Sequence, residues 1–315
     1  MSSIFRKMLF GDAAIREYAT VTIDKQINEK VYLKCNKMLT DISRDHWLLC
    51  LSPIVFGVWI TKGGQLTPAD LKNNCKIYFT DRTTGINKAE SDSTAELTLD
   101  FMNEINEKDG SLILLKLRKS RVYHINSIKA RLLFSKYYKK PGVSFADLKA
   151  LASAYSYPRK VRLISFKQDD YYNIFPMDLL GHIRQNNKYV FGLRHTNTAL
   201  SKIIAAKKIV VSEVSFKHKE TIYQLGSHHS AGPPPLALLP FKVISTENFG
   251  FYVPEWVDSY QEISIYKTMD LGSHMLLFGE VSDGDVLKES AGNLFHIHYL
   301  LYLHQKRKTI AYPAV

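Results

Sequence analysis

KYVFGLRHTNTALSKII, residues 188–204, decides how this chain is read. Tyr189 to Leu193 is an aromatic and β-branched run of strand type. Leu200 to Ala206 reads as a short helix, with Thr196-Asn197-Thr198 at its start and Lys207-Lys208 at its end. A strand therefore delivers Arg194 to the start of a helix that carries several hydroxyl groups. A helix start has unpaired N–H groups and partial positive charge, so it favours a phosphate. A guanidinium adds a fork of donors matched to phosphate oxygens. The same residues also suit ordinary capping by Thr196 or Thr198, with Arg194 on a solvated face.

Strand signals continue on both sides of this stretch. Val161 to Phe166 precedes it, and Ile209 to Phe216, Tyr260 to Asp270, Met275 to Val281 and Phe295 to Leu303 follow. Gly232-Pro233-Pro234-Pro235 punctuates a long loop between them. Many strands with one short helix predict a closed or half-closed barrel. Upstream, Lys139-Lys140-Pro141-Gly142 is a turn by composition, and Ser144 caps a helix with Asp147 in its first turn. The expected organisation is an N-terminal β-rich domain over 1–140, a linker helix over 141–157 and a barrel over 158–315.

In the N-terminal part, Val31 to Lys34, Trp47 to Ile60, Lys76 to Thr80 and Ser111 to Lys116 read as strands. Glu96 to Ile105 is expected to be a helix, residues 2–18 a short helix, and Arg121 to Tyr138 fits either strand or helix.

Composition narrows the class. The chain has 315 residues, 45% hydrophobic and 23% charged, which is ordinary for a globular protein. The net charge of +12 favours anionic partners. The basic residues are scattered, and no nucleic-acid-binding signature is present, so neither nucleic acid nor membrane is the expected partner. Cys35, Cys50 and Cys75 match no zinc or Cys-x-x-Cys spacing, and so sparse a set suits a reducing compartment. The first residues lack the apolar core of a signal peptide, and Trp47 to Ile60 is too short to span a bilayer. A cytoplasmic location is the expectation. There is no Rossmann or P-loop glycine pattern.

Further stretches offer chemistry. Asn173-Ile174-Phe175-Pro176-Met177-Asp178 reads as a turn after a strand, whose backbone N–H groups suit a heterocycle or phosphate, though by spacing alone a plain β-turn is the favoured reading. His228-His229 stands in a polar loop, His274 at the exit of a glycine turn, and His296 and His298 on one face of a strand. No metal site is expected from any of them.

Taken in order, NIFPMD (173–178), YVFGLRHTNTALSKII (189–204), IVVSEVSF (209–216) and ISIYKTMDLGSHMLLFGEV (263–281) resemble the flavin reductase-like family of FMN-binding split β-barrels. The resemblance covers residues 158–315. It implies a noncovalently held FMN whose phosphate lies near Arg194, Thr196, Asn197, Thr198, Ser201 and Lys202. It places the isoalloxazine edge against Asn173, Ile174, Phe175, Pro176 and Met177. It further implies an oxidoreductase that takes a hydride from NAD(P)H through FMN to an acceptor, with His274 shaping the nicotinamide or substrate side. Many relatives carry an S-G-R-x-x-D-K-F-type stretch where this chain has HHSAGPPPLALLPFKV, residues 228–243. That departure leaves open a non-catalytic flavin-binding protein on the same barrel. Split barrels usually pair, so a homodimer is expected, or an intrachain pseudo-dimer if the N-terminal half is a degenerate second barrel.

Overall fold

The computed structural model describes residues 18–21, 29–80, 86–123, 126–139, 141–289, 292–299 and 301–302. The helix expected over residues 2–18 lies, apart from Tyr18, outside them. The strands are β1 (Tyr18–Val21), β2 (Lys30–Cys35), β3 (Met38–Asp41), β4 (His46–Leu51), β5 (Ile54–Thr61), β6 (Cys75–Thr80), β7 (Ser93–Glu107), β8 (Gly110–Val122), β9 (Arg159–Lys160) and β10 (Arg162–Gln168). They continue with β11 (Tyr171–Met177), β12 (Leu180–Ile183), β13 (Lys188–Arg194), β14 (Lys208–Glu213), β15 (Val243–Ser245), β16 (Tyr252–Pro254), β17 (Ser259–Asp270), β18 (His274–Val286) and β19 (Phe295–His298). The main helices are α1 (Ser127–Leu133), α2 (Phe145–Ala154), α3 (Leu200–Ala206), α4 (Lys219–Gln224) and α5 (His228–Ala231).

The protein is mainly β. Two seven-stranded antiparallel sheets form its body, one ordered β3-β2-β6-β7-β8-β5-β4 and the other β11-β10-β14-β17-β18-β13-β12. The first encloses a core built on Leu33, Phe56, Phe79 and Leu97, the second one built on Phe166, Phe175, Phe191 and Ile263. A third cluster lies where the sheets meet: Leu49, Cys50, Val55, Trp59 and Leu112 from one side, Val190, Leu276 and Phe278 from the other. Burying such side chains contributes roughly 1.5–3 kcal/mol each, so this seam is a structural contact of the same kind as the cores it joins.

Several elements fall where the residues predict. Helix α3 covers Leu200–Ala206. Helix α2 begins at a reciprocal capping box, with Ser144 Oγ accepting from the Asp147 N–H and Asp147 accepting from the Ser144 N–H. Two expectations are corrected. Glu96 to Ile105 belongs to the long strand β7, because Ala95, Leu97 and Leu99 alternate into the core and the segment is paired by β6 and β8 on both sides. Residues 173–177 are strand β11 rather than a turn, since they pair residue for residue with β10. Of the ambiguous Arg121–Tyr138 stretch, the start ends β8 and Ser127–Leu133 is α1, capped by the Asn126 side chain.

Candidate functional site

The site grows from the end of β13. Strand β13 pairs with β18 so that Arg194 lies opposite His274. After Arg194 the chain turns into α3, and its polar start is held from within. The Asn197 side chain accepts from the Ala199 N–H at 2.8 Å, and the Asn197 carbonyl accepts from Leu200. Asn197 is buried and its side chain holds the turn that leads into α3, whereas the helix itself starts after Ala199 with no side-chain cap from Thr196 or Thr198. The Thr198 N–H donates to the His229 carbonyl. Of the helix's own first amides, that of Leu200 is engaged, by the Asn197 carbonyl.

Strand β11 stands at the margin of its sheet. His228, buried and held by α5, donates from Nδ1 to the Ile174 carbonyl at 3.0 Å. Backbone groups of alternate residues face opposite edges of a strand, so Tyr172, Ile174 and Pro176 face outward and Asn173, Phe175 and Met177 face β10. Proline tolerates an edge because no ladder donor is lost there. The fully buried Asn173 side chain donates to Thr198 Oγ1 at 3.3 Å and to the His228 carbonyl at 3.1 Å, leaving its Oδ1 without a hydrogen-bond partner. Tyr171 also meets Thr198 Oγ1 at 3.3 Å, and its ring lies 4.9 Å beneath the Lys202 ammonium. Thr196, Thr198, Ser201 and Lys202 are exposed around this point.

Two predicted segments, 173–177 and 194–202, thus converge at one end of the second sheet. Ile174, Phe175 and Met177 are buried, with the Phe175 ring packed edge-on against His229. His228 and His229, expected in a loop, lie on the short helix α5, which straps the edge of β11 to the start of α3.

Arg194 also lines a cleft of about 730 Å³. Its walls come from the β4–β5 turn (Leu51 to Ile54), the far part of β8 (Leu117 to Ser120) and α2 (Ala146 to Leu151). Arg118, Lys119, Lys149 and Arg194 face it with apolar Leu51, Pro53 and Leu117, and its one carboxylate, Asp147, is occupied in the capping box. The volume is of the size that holds a nucleotide-like ligand. Arg118, Lys119 and Lys149 escape a sequence reading, because only the packing of the two sheets brings them toward Arg194.

His274 is 1% exposed. Its Nδ1 meets Ser273 Oγ at 2.7 Å and Cys50 Sγ at 3.4 Å. Ser273 in turn bonds Ser52 in both directions, accepting from its N–H on Oγ and donating to its carbonyl. Burial, with the Arg194 charge beside it, pushes the imidazole down to about 4, so it is neutral near pH 7. It sits in a clasp between the β4–β5 and β17–β18 turns. Cys50 is fully buried in the same clasp. Elsewhere, His296 meets Asp178 at 3.0 Å and the Tyr223 hydroxyl at 2.8 Å, and His298 is buried. No group of three or more potential metal ligands occurs among the described residues, and no helix there is long and apolar enough to cross a membrane.

Neither a family model nor a curated protein matches this chain. Among solved structures, it is similar to an FMN-binding protein from Thermus thermophilus with bound 1-cyclohex-2-enone, at 17% identity over 42% of this chain and 72% of that one, with a TM-score of 0.38. It is similar to nitrilotriacetate monooxygenase component B from Mycobacterium thermoresistibile, at 15% identity over 44% and 76%, TM-score 0.39. It is also similar to BorF, the flavin reductase component of a bacterial two-component tryptophan halogenase, at 9% identity over 45% and 88%, TM-score 0.40.

Proposed function

We propose that this chain binds FMN and acts as an oxidoreductase of flavin reductase type, using NAD(P)H as co-substrate. The observation that carries this reading is the hydrogen bond from Asn173 to Thr198, which joins the two stretches expected to contact the cofactor. Chemistry present at the site fits the group. Arg194, Lys202 and the hydroxyls of Thr196, Thr198 and Ser201 supply cationic and neutral donors for a phosphate. These side chains would do the holding. The outward N–H of Ile174, on the edge strand, offers a donor to a heterocycle edge. The cleft beside Arg194 adds apolar walls and further positive charge.

When bound, FMN supplies the hydride and electron transfer itself. The chain's part is to bind and to orient. Arg194 anchors negative charge. β11 would offer the outward Ile174 N–H to the ring edge, a donor suited to negative charge. His274 is a positioning residue: neutral and clasped, it fixes the turn that faces Arg194 without adding a repelling charge.

The test is a visible spectrum of the purified protein followed by FMN titration. Absorbance near about 450 nm is expected, together with NAD(P)H oxidation. Arg194→Ala and Thr198→Ala are expected to weaken FMN binding. Wild type that binds no flavin, with both variants indistinguishable from it, ends this reading. One observation favours the non-catalytic alternative: the His228–His229 carbonyls already occupy Asn173 and Thr198. Flavin binding without NAD(P)H oxidation would establish it.

A further inference from the structure

We infer that residues 30–122 are a degenerate copy of the sheet formed by residues 162–286, and that this copy fills the place a second chain would take. Replacing β2, β3, β4, β5, β6, β7 and β8 by β10, β11, β12, β13, β14, β17 and β18 converts one sheet order into the other without a single exchange. Local details follow the same correspondence. The β2–β3 and β10–β11 hairpins both turn over two residues, and the first of each pair is left-handed: Asn36 at φ 56 and Asp169 at φ 52. The β7–β8 hairpin shifts register at Thr98/Leu99 and again at Phe101/Asn103. The β17–β18 hairpin shifts at Glu262/Ile263 and again at Ile265/Lys267, with the same spacing. Bulges are family-specific features of a strand pair, so their agreement is independent of strand order.

The contact between the sheets has the form of a two-fold interface. β4 packs on its own counterpart β12, which is what self-complementary association of two copies requires. Close approach is built in there: Gly181 leaves room for the Trp47 ring and Gly192 for the Leu49 backbone. The seam cluster around Cys50, Trp59, Val190 and Phe278 is apolar, as in an obligate interface.

The copy has lost its version of the anion site. The stretch after β5 corresponds to the one after β13 and carries only a single turn, Asp70–Lys72, in place of α3. There the Asp70 carboxylate accepts from the Thr67 N–H at 2.9 Å and from Thr67 Oγ1 at 2.6 Å. The stretch after β5 thus carries an acidic, self-capped turn in place of the hydroxyl-bearing turn and helix that follow β13. The consequence, which rests on the flavin reading, is one flavin per chain rather than two.

The experiment is sedimentation equilibrium of the full chain over a wide concentration range, with and without Gly192→Val, alongside FMN titration. A single-chain mass of 36.1 kDa is expected, with Gly192→Val less stable and still a single chain, and one equivalent of FMN bound. A two-chain particle that Gly192→Val splits into folded single chains overturns the inference. Two equivalents of FMN per chain overturn the loss of the second site. If no flavin binds at all, only the flavin reading fails, and the masses of wild type and variant still decide this one.

Discussion

A Cβ placed on Gly192 would overlap the carbonyl oxygen of Leu49, across the seam between the two sheets. Backbone cannot swing aside as a flexible side-chain end can, so any larger residue must push β13 away from β4. Gly192→Ala is expected to cost about 1–3 kcal/mol, read as a lower midpoint in urea or thermal unfolding. Gly226→Ala is the control: its nearest neighbour would be Pro176 Cγ at 3.9 Å, and its stability should hardly change.

Arg194→Ala separates charge recognition from ring recognition. FMN affinity should fall about tenfold or more, in keeping with a hydrogen bond to a charged group of roughly 1.5–3 kcal/mol. Riboflavin, which lacks the phosphate, should bind the variant and the wild type alike. Equal losses for both ligands would show that Arg194 serves the cleft's shape instead of an anion. Fluorescence titration reads either result.

Acid should unfold this protein early. Burial holds His274 at about 4 and His46, fully enclosed and near Arg159, at about 3. Both lie below the usual histidine value, so the unfolded chain takes up protons first. Their contribution is complete above about pH 6.5 and is lost as pH falls through the folded values. Chemical denaturation between pH 7 and pH 4 should show stability falling steadily below about pH 6.5, by on the order of 1.4 kcal/mol per pH unit for each group. A flat profile over that window would refute the enclosed neutral state.

Glu213 bridges Lys160 at 2.5 Å and Arg162 at 2.6 Å. Burial alone would raise its carboxyl, but the two cations overcome that and hold it at about 2. Glu213→Gln strands Arg162, whose side chain is 13% exposed, beside a second positive charge. A loss of about 3 kcal/mol is expected. Glu213→Gln combined with Arg162→Met should recover much of it, because the stranded charge is gone. Urea midpoints of the three proteins check this.

How far the residues foretold the structure depends on where each element gets its hydrogen bonds. Helix α3 was legible because its start and end signals are local, as were those of α2. The convergence of 173–177 with 194–202 was legible as a resemblance and is carried in space by Asn173 and Thr198. Glu96 to Ile105 misled because its acidic and apolar residues suit a helix locally, whereas β6 and β8 saturate it from both sides. The short helix α5 carried no signal, since its role comes from contacts with β11 and Thr198, and the cations of β8 and α2 near Arg194 carried none, since contacts across the seam create theirs.

The imidazole of His228 against the Ile174 carbonyl has a further effect. An unguarded outer strand is a template on which foreign chains can assemble. By fastening a short helix along β11, the protein denies newcomers that margin while keeping it within reach of a small ligand. Slackening this latch would therefore reveal itself first as clumping on storage, before any change in the cores beneath.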